Sequence, residues 1–211
     1  LVSLENFIPL CNFDLIGFTL QYELHYPNIL QMLKLGNIPI SSKDRSETDP
    51  LVIGGGPAAF HPEPVAEFFD AFVIGDGEEV ILEIINTLRD AQSQKALRYE
   101  KLSALARIPG IYVPQFYHPV YDNRGNYLRI EPLIDNVPES VKARIIPSLK
   151  QDYYNRLPIL PSIEAVHDRI SVEIMRGCTQ GCRYCEAGYT YRPTRERDPD
   201  TIIREILSHA Y

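Results

Sequence analysis

The chain has 211 residues, of which 45% are hydrophobic and 23% are charged, and its formal net charge is −7. This composition is typical of an ordinary soluble protein of one or two domains. No apolar run reaches about 18 residues, so the sequence predicts no transmembrane helix. The negative charge disfavours a broad nucleic-acid-binding surface, so nucleic acid is not indicated as a partner.

The first half of the chain alternates short apolar segments with helical patterns. The apolar segments predict three buried strands, at residues 15–20, 51–53 and 71–74. Helices are predicted between and after them, at residues 26–35, 63–69 and 79–91. The last of these is expected to bury one face formed by Ile81, Ile84, Ile85 and Leu88. This alternation predicts an α/β fold with a doubly wound, Rossmann-like parallel sheet.

The carboxyl ends of these predicted strands carry a hydroxyl residue and glycines. Thr19 ends the first strand, and Gly54, Gly55 and Gly56 follow the second. Ligands of parallel sheets bind at this edge, and glycine lets the backbone approach a ligand closely. These residues are therefore candidates for a ligand site. The alternative, that the glycines only make tight turns, stays open, above all for the loop at residues 75–78.

The middle of the chain, residues 97–166, is rich in proline and lacks a helical period, so we expect a linker there. Residues 117–131 predict a β-hairpin with its turn at residues 122–126. Beyond it, residues 170–175 predict a strand, and Asp198 is expected to cap a helix whose first residue is Pro199. The expected buried face of that helix consists of Ile202, Ile203, Ile206 and Leu207.

Between this strand and this helix lie Cys178, Cys182 and Cys185, with the spacing C-x3-C-x2-C. Three thiolates this close in sequence can converge on one metal centre, and three ligands on a four-iron cluster leave one iron open for chemistry. Gly177 and Gly181 allow tight or left-handed backbone around them. A structural zinc site normally needs four protein ligands in paired C-x2-C units, and an odd number of cysteines disfavours disulfides.

This motif resembles that of the radical SAM enzymes, which carry an aromatic residue before the last cysteine, as Tyr184 does here. The resemblance implies that the three cysteines hold a 4Fe–4S cluster and that S-adenosylmethionine chelates the fourth iron. It implies reductive cleavage to a 5′-deoxyadenosyl radical, with Tyr184 near the adenine and a flavodoxin- or ferredoxin-type protein as reductant. It also implies that residues 167–211 begin a partial TIM-type barrel, with the cluster loop at the end of the first strand.

The first half resembles the cobalamin-binding domain that precedes many radical SAM barrels. Thr19 and the pair Gly54-Gly55 stand at the places of its corrin-contacting loops, whereas the cobalt-ligating Asp-x-His-x-x-Gly motif is absent from these residues. The whole order, including His167-Asp168-Arg169, resembles a poorly characterised family of B12-binding-domain radical SAM proteins. We therefore expect a fragment with an N-terminally truncated cobalamin-binding-like domain at residues 1–96, a linker at 97–166 and the start of the barrel at 167–211.

A few further residues are candidates for ligand contacts. The basic run of Arg192, Arg195 and Arg197 could meet a ligand's carboxylate or phosphate, but it is rather expected to be solvated or paired with Glu196 and Asp198. His25 and His61 are expected to be solvated loop residues. Cys11 is expected to be a small buried apolar residue.

The sequence thus predicts a radical SAM enzyme of unknown substrate, with cobalamin as a candidate cofactor. Clustered thiols that must stay reduced favour the cytoplasm. The alternative enzyme is an RNA methylthiotransferase-like protein, and methyl transfer through cobalamin is a further option. The non-enzymatic alternative is an iron–sulfur or zinc module with a structural or electron-transfer role.

Overall fold

The computed structural model describes residues 1–150, 153–154 and 171–208. The chain forms two compact units, Leu1–Ile145 and Ile146–Tyr211. His167, Asp168, Arg169 and Ile170, which belong to the predicted start of the barrel, lie outside the described residues. Among the helices that the structure describes, none is long and apolar enough to cross a membrane.

The first unit is built on a four-stranded sheet. Its strands are β1 (Leu15–Thr19), β2 (Leu51–Gly55), β3 (Ala71–Val73) and β4 (Ile111–Tyr112). The first three run parallel, and β4 is antiparallel to β3. The predicted α/β fold with parallel strands is confirmed. These four strands follow each other in sequence order, however, so they do not show the reversal of order that defines a doubly wound sheet.

Three helices belong to this unit: α1 (Tyr26–Leu35), α2 (Val80–Ser93) and α3 (Arg98–Leu105). The predicted short helix at residues 63–69 is a 3-10 helix, Glu63–Phe68. α1 has the predicted bounds, since Pro27 suits its first turn. The buried face of α2 differs from the prediction. Val80, Ile84 and Ala91 are buried whereas Ile81 is exposed, because the helix turns Val80 and Ile84, four residues apart, toward the core.

Part of the stretch that we expected to be linker belongs to the core of this unit. The prediction that the helical pattern ends after residue 97 is wrong, since α3 lies there and buries Leu102 and Leu105. The Leu97 amide begins this helix by donating a 2.7 Å hydrogen bond to Glu100 Oε2. The division into functional domains stays a prediction.

The predicted hairpin is confirmed as β5 (Tyr117–Tyr121) and β6 (Tyr127–Pro132), which pair antiparallel. The Asp122 carboxylate forms the turn, because its Oδ1 accepts the amide protons of both Arg124 and Asn126 at 2.8 Å.

The second unit contains β7 (Met175–Arg176), β8 (Arg195–Glu196), α4 (Ala187–Thr190) and α5 (Pro199–Ser208). We expected a strand over residues 170–175 as the first of a parallel barrel. In the part of the chain that is described, residues 171–174 are not strand and β7 pairs antiparallel with β8. The barrel prediction is therefore not confirmed.

The start of α5 is as predicted, because Asp198 Oδ2 accepts the amide proton of Thr201 at 2.8 Å. Its expected buried face is not buried in this structure. Ile203, Ile206 and Leu207 are 53%, 45% and 55% exposed.

A buried carboxylate ties the sheet of the first unit to α3. Asp70 Oδ2 accepts hydrogen bonds from Arg45 Nη1 at 2.8 Å and from the Val52 amide at 2.7 Å. Its Oδ1 pairs with Arg98 Nη2 at 2.9 Å. One carboxylate thus forms ion pairs with two guanidinium groups and accepts a hydrogen bond from one strand amide. The three charged side chains have little access to water.

Candidate functional site

The cysteine loop leaves β7 through a conformation that requires glycine. Gly177 has φ +96°. A Cβ at this position would lie 2.5 Å from the carbonyl oxygen of Tyr191 and 2.9 Å from Thr194 Cα. The start of the loop is therefore packed directly on the backbone of residues 191–194.

The far end of the loop is closed by a second glycine, at α4. Gly188 is buried, and a Cβ there would lie 2.7 Å from the carbonyl oxygen of Gln180. Gly181 is different, since a Cβ there would meet no atom within 4 Å. The sequence predicted Gly177 and Gly181 as the glycines that shape the loop, but Gly177 and Gly188 are the two that close packing requires.

We expect Gly188→Ala to destabilise the loop by about 1–3 kcal/mol, the usual cost of overpacking, because backbone must move to admit the methyl group. Gly181→Ala is the matched control in the same loop and should change little. The iron content of the reconstituted whole protein and its chemical denaturation measure the two effects. Equal iron retention by both variants would show that the contact at Gly188 does not shape the site.

The three thiols of this loop are free, with Cys178 and Cys185 half-buried and Cys182 exposed. The Gln180 amide donates to Cys178 Sγ at 3.4 Å, and the Cys185 amide donates to the Cys182 carbonyl at 3.2 Å. Among the described residues, no three histidine, cysteine or acidic side chains are placed to hold a metal ion, so the thiols share a loop without converging. Their type and spacing fit an iron–sulfur cluster, and an amide already directed at sulfur is the hydrogen bond that such ligands accept.

A network of charged side chains lies immediately before the loop. Arg176 donates to both carboxylate oxygens of Glu173, at 2.9 and 3.0 Å, and the Tyr154 hydroxyl donates to the same carboxylate at 2.6 Å. Although burial alone would raise the pKa of the Glu173 carboxyl, the hydrogen bonds from Arg176 and Tyr154 lower it. Glu173 is therefore an anion that fixes the strand from which the loop departs.

The basic run that follows the loop was expected to be solvated or paired with Glu196 and Asp198. Two of its three arginines are not solvated, although Arg197 does pair with a carboxylate, that of Glu205. Arg195 and Arg197 are buried. Arg195 Nη1 donates to the Ile146 carbonyl at 3.0 Å. Arg197 donates to the Glu173 carbonyl at 2.8 Å and forms an ion pair with Glu205. These two arginines hold backbone carbonyl groups and a carboxylate together within the second unit.

Tyr184, the predicted neighbour of adenine, is 92% exposed. Its ring extends from the loop between Cys182 and Cys185 and is accessible to a ligand. Its contact with S-adenosylmethionine stays a prediction.

At the carboxyl edge of the sheet, the chain closes over the end of β1. The Leu20 amide donates to the Gly55 carbonyl at 2.6 Å, and the Ala58 amide donates to the Leu20 carbonyl at 3.0 Å. Gly56 has φ +96°, and a Cβ there would lie 3.1 Å from the Leu20 carbonyl oxygen. This glycine is required by the turn itself. Thr19, by contrast, is exposed at the end of the strand.

The neighbouring glycines differ in what surrounds them. A Cβ at Gly54 would lie 2.9 Å from both Phe72 Cδ1 and Leu20 Cδ1, whereas one at Gly55 would make only an ordinary 3.7 Å contact with Val73. Phe72 and Leu20 are fully buried. Core packing therefore accounts for Gly54, and Gly55 is the glycine of the pair that packing does not explain.

Gly54→Ala should destabilise the protein by about 1–3 kcal/mol, because the added methyl group overpacks the core against Phe72. Gly55→Ala is the control and should stay within about 0.5 kcal/mol of wild type, apart from propensity effects of the strand. Urea denaturation of both variants measures the difference. A larger loss at Gly55 than at Gly54 would contradict this assignment.

The third predicted loop at this edge, residues 75–78, is covered by the chain. Gly75 forms a parallel bridge with Arg144, and a Cβ at Gly75 would lie 2.1 Å from the Arg144 carbonyl oxygen. The Arg144 side chain forms an ion pair with Glu83 on α2. This loop is therefore closed at Gly75, which favours the alternative that its glycine serves the local packing.

The remaining sequence candidates have local roles. His25 is half-buried at the end of a 3-10 helix, with its ring 4.6 Å from that of Tyr22. Cys11 is half-buried against the core, close to the predicted buried position, and lines a cavity at the amino edge of the sheet. Sequence reasoning missed this cavity, because the residues around it come from four separate stretches of the chain.

Comparison with known proteins assigns the chain to a family. A family model described as radical SAM proteins, N-terminal, matches residues 1–114, which is more than half of the chain. The chain belongs to the radical SAM proteins. No solved structure matches it.

Curated relatives agree with this family. An uncharacterized protein of Methanocaldococcus jannaschii is 27% identical over 206 residues, which is 95% of this chain and 36% of that protein. A tRNA-2-methylthio-N(6)-dimethylallyladenosine synthase of Parabacteroides distasonis is 34% identical over 38% of this chain and 18% of that protein. The corresponding synthase of Christiangramia forsetii is 27% identical over 61% of this chain and 31% of that protein. The chain thus spans between 18% and 36% of the length of these relatives.

Proposed function

We propose that the whole protein is a radical SAM enzyme in which Cys178, Cys182 and Cys185 hold a 4Fe–4S cluster and leave one iron open for S-adenosylmethionine. Family membership supports this proposal. The observation that carries it is the set of three free thiols on one loop. Both ends of that loop are fixed by glycines in close backbone contact.

The protein's own residues then have distinct tasks. The three thiolates bind the metal, and the Gln180 amide donates a hydrogen bond to the Cys178 sulfur. Gly177 and Gly188 fix the loop, and Tyr184 offers an exposed ring to the adenine. When bound, such a cluster supplies the electron that cleaves the sulfonium of S-adenosylmethionine. A flavodoxin- or ferredoxin-type protein in a reducing compartment is the proposed electron source.

The proposal leaves the substrate open. RNA methylthiolation is the alternative enzyme function, because several curated relatives are named as tRNA methylthio-adenosine synthases. A structural or electron-transfer role is the non-enzymatic alternative. It requires a fourth protein ligand to the metal, which the C-x3-C-x2-C motif itself does not supply.

Cobalamin is the proposed ligand of the carboxyl edge of the first sheet, with Thr19 and Gly55 as its contacts. Gly54 and Gly56 no longer support this proposal, because core packing accounts for Gly54 and the turn accounts for Gly56. Gel filtration of the whole protein after incubation with cobalamin tests it. Gly55→Leu should release the cobalamin without changing the iron content, and a wild type that retains no cobalamin would remove this part of the proposal.

Metal analysis of the whole protein, purified without oxygen, tests the proposed cluster. We expect about four irons and a matching amount of acid-labile sulfide per chain. One zinc per chain without iron would contradict the proposal and favour a structural module.

A further inference from the structure

The first unit contains a cavity of about 520 Å³ at the amino ends of β1 and β2. Leu15 and Leu51, the first residues of these strands, line it, and so do residues of α2 and α3. It lies at the edge of the sheet opposite to the one where the sequence placed a ligand. Cavities that bind small molecules have volumes of roughly 300–1,000 Å³, so this one is large enough for such a ligand.

One wall of the cavity is apolar. Ile85 and Leu88 on α2 are half-buried and face it together with the two strand leucines. Their spacing of three residues places them on one side of the helix. This wall would cover a flat or aliphatic group.

Three charged residues of the cavity are already bound by the fold. Arg98 donates to the Asp49 carbonyl at 2.8 Å and to the Pro50 carbonyl at 3.1 Å, in addition to its ion pair with Asp70. Glu47 Oε2 accepts the Arg98 amide, and Asp49 Oδ2 accepts the Ser46 amide at 2.7 Å. The bond from the Ser46 amide lowers the pKa of the Asp49 carboxyl. Arg98 is thus held by two carbonyl groups and by Asp70, whereas the carboxylates of Glu47 and Asp49 are held by backbone amides.

Two cations of the cavity have no such partner. Arg89 on α2 and Lys101 on α3 line it, and neither side chain makes a hydrogen bond or ion pair with the residues that the structure describes. The two helices pack against each other, and each contributes one of these cations to the lining of the cavity. Asp14, at the start of β1, is the one lining carboxylate that is likewise without a side-chain partner among those residues.

We propose that this cavity binds a small organic anion with an apolar body, such as an organic phosphate or carboxylate. The anionic group is held by Arg89 and Lys101, and the apolar body covers Ile85 and Leu88. Asp14 repels negative charge, which favours a ligand whose charge is confined to one end. The residues that line this site all lie within the first unit.

Titration of the whole protein with 1-naphthyl phosphate, followed by the fluorescence of the naphthyl group, tests this proposal. The probe has an aromatic body and one anionic end, and it lacks the adenine of S-adenosylmethionine. We expect saturable binding, at least about tenfold tighter than that of 1-naphthol, which differs only in the missing phosphate. Arg89→Gln combined with Lys101→Gln should weaken the binding of 1-naphthyl phosphate by about tenfold or more and leave the affinity for 1-naphthol unchanged.

The matched control is Lys95→Gln combined with Arg107→Gln, which removes two exposed cations outside the cavity and should leave binding unchanged. If the double variant at Arg89 and Lys101 does not fold, as judged by circular dichroism, each single variant replaces it and should weaken binding about threefold. No saturable binding, equal affinity for naphthol, or equal loss in the control pair would each overturn the proposal.

Discussion

Replacing Asp70 with alanine should destabilise the first unit by about 3–5 kcal/mol, the cost of breaking a buried ion pair from one side. The substitution leaves the guanidinium of Arg45 buried without its carboxylate and removes the ion-pair partner of Arg98. It also leaves the Val52 amide in the centre of the sheet without its acceptor. Urea denaturation followed by circular dichroism measures the loss.

Glu47→Ala is the control for this effect. Glu47 also interacts with Arg98, through the backbone amide, but its side chain is exposed and its loss should cost less than about 1 kcal/mol. If Asp70→Ala costs no more than Glu47→Ala, the buried carboxylate does not organise the unit as described.

Replacing Cys178, Cys182 or Cys185 singly with alanine should reduce the iron content of the reconstituted whole protein from about four atoms per chain to nearly none. Two remaining thiolates leave two irons of the cluster without a protein ligand, so the cluster is expected to be lost as a unit. Iron and sulfide analysis after anaerobic reconstitution measures the effect.

Cys11→Ala is the matched control, because this fourth cysteine lies in the first unit, on the 3-10 helix Leu10–Asn12. It should leave the iron content unchanged. Full iron retention in any one of the three loop variants would show that the corresponding cysteine is not a ligand.

The sequence predicted an element correctly where the order of apolar and polar residues along the chain matches which residues are buried. β1 and β2 are apolar runs that become paired strands, and Pro27 marks the first turn of α1. The helix α3 was missed because its cap is a leucine, with Glu100 reaching back to the amide. Its short sequence lies in a proline-rich stretch, and its buried face becomes clear only when the core around Leu102 and Leu105 is known.

The candidate site also combines features that the sequence shows with features that only the structure shows. The spacing of the three cysteines is visible in the sequence, but the reason for each glycine is not. Gly54 has no room for a side chain beside Phe72, and Gly177 has a positive φ. Gly181 has free space around it and no positive φ, so neither reason for glycine applies there. The burial of Arg195 and Arg197 could not be predicted either. Their hydrogen-bond acceptors are backbone carbonyl groups, which every residue has, so no residue type in the sequence indicates them.

Formation of 5′-deoxyadenosine tests the proposed chemistry most directly. The whole protein is reconstituted with iron and sulfide without oxygen and is then incubated with S-adenosylmethionine and a strong reductant. We expect wild type and Cys11→Ala to release 5′-deoxyadenosine and Cys185→Ala to release none. A wild-type protein that carries about four irons per chain and releases no 5′-deoxyadenosine would contradict the proposal that these cysteines serve radical SAM chemistry.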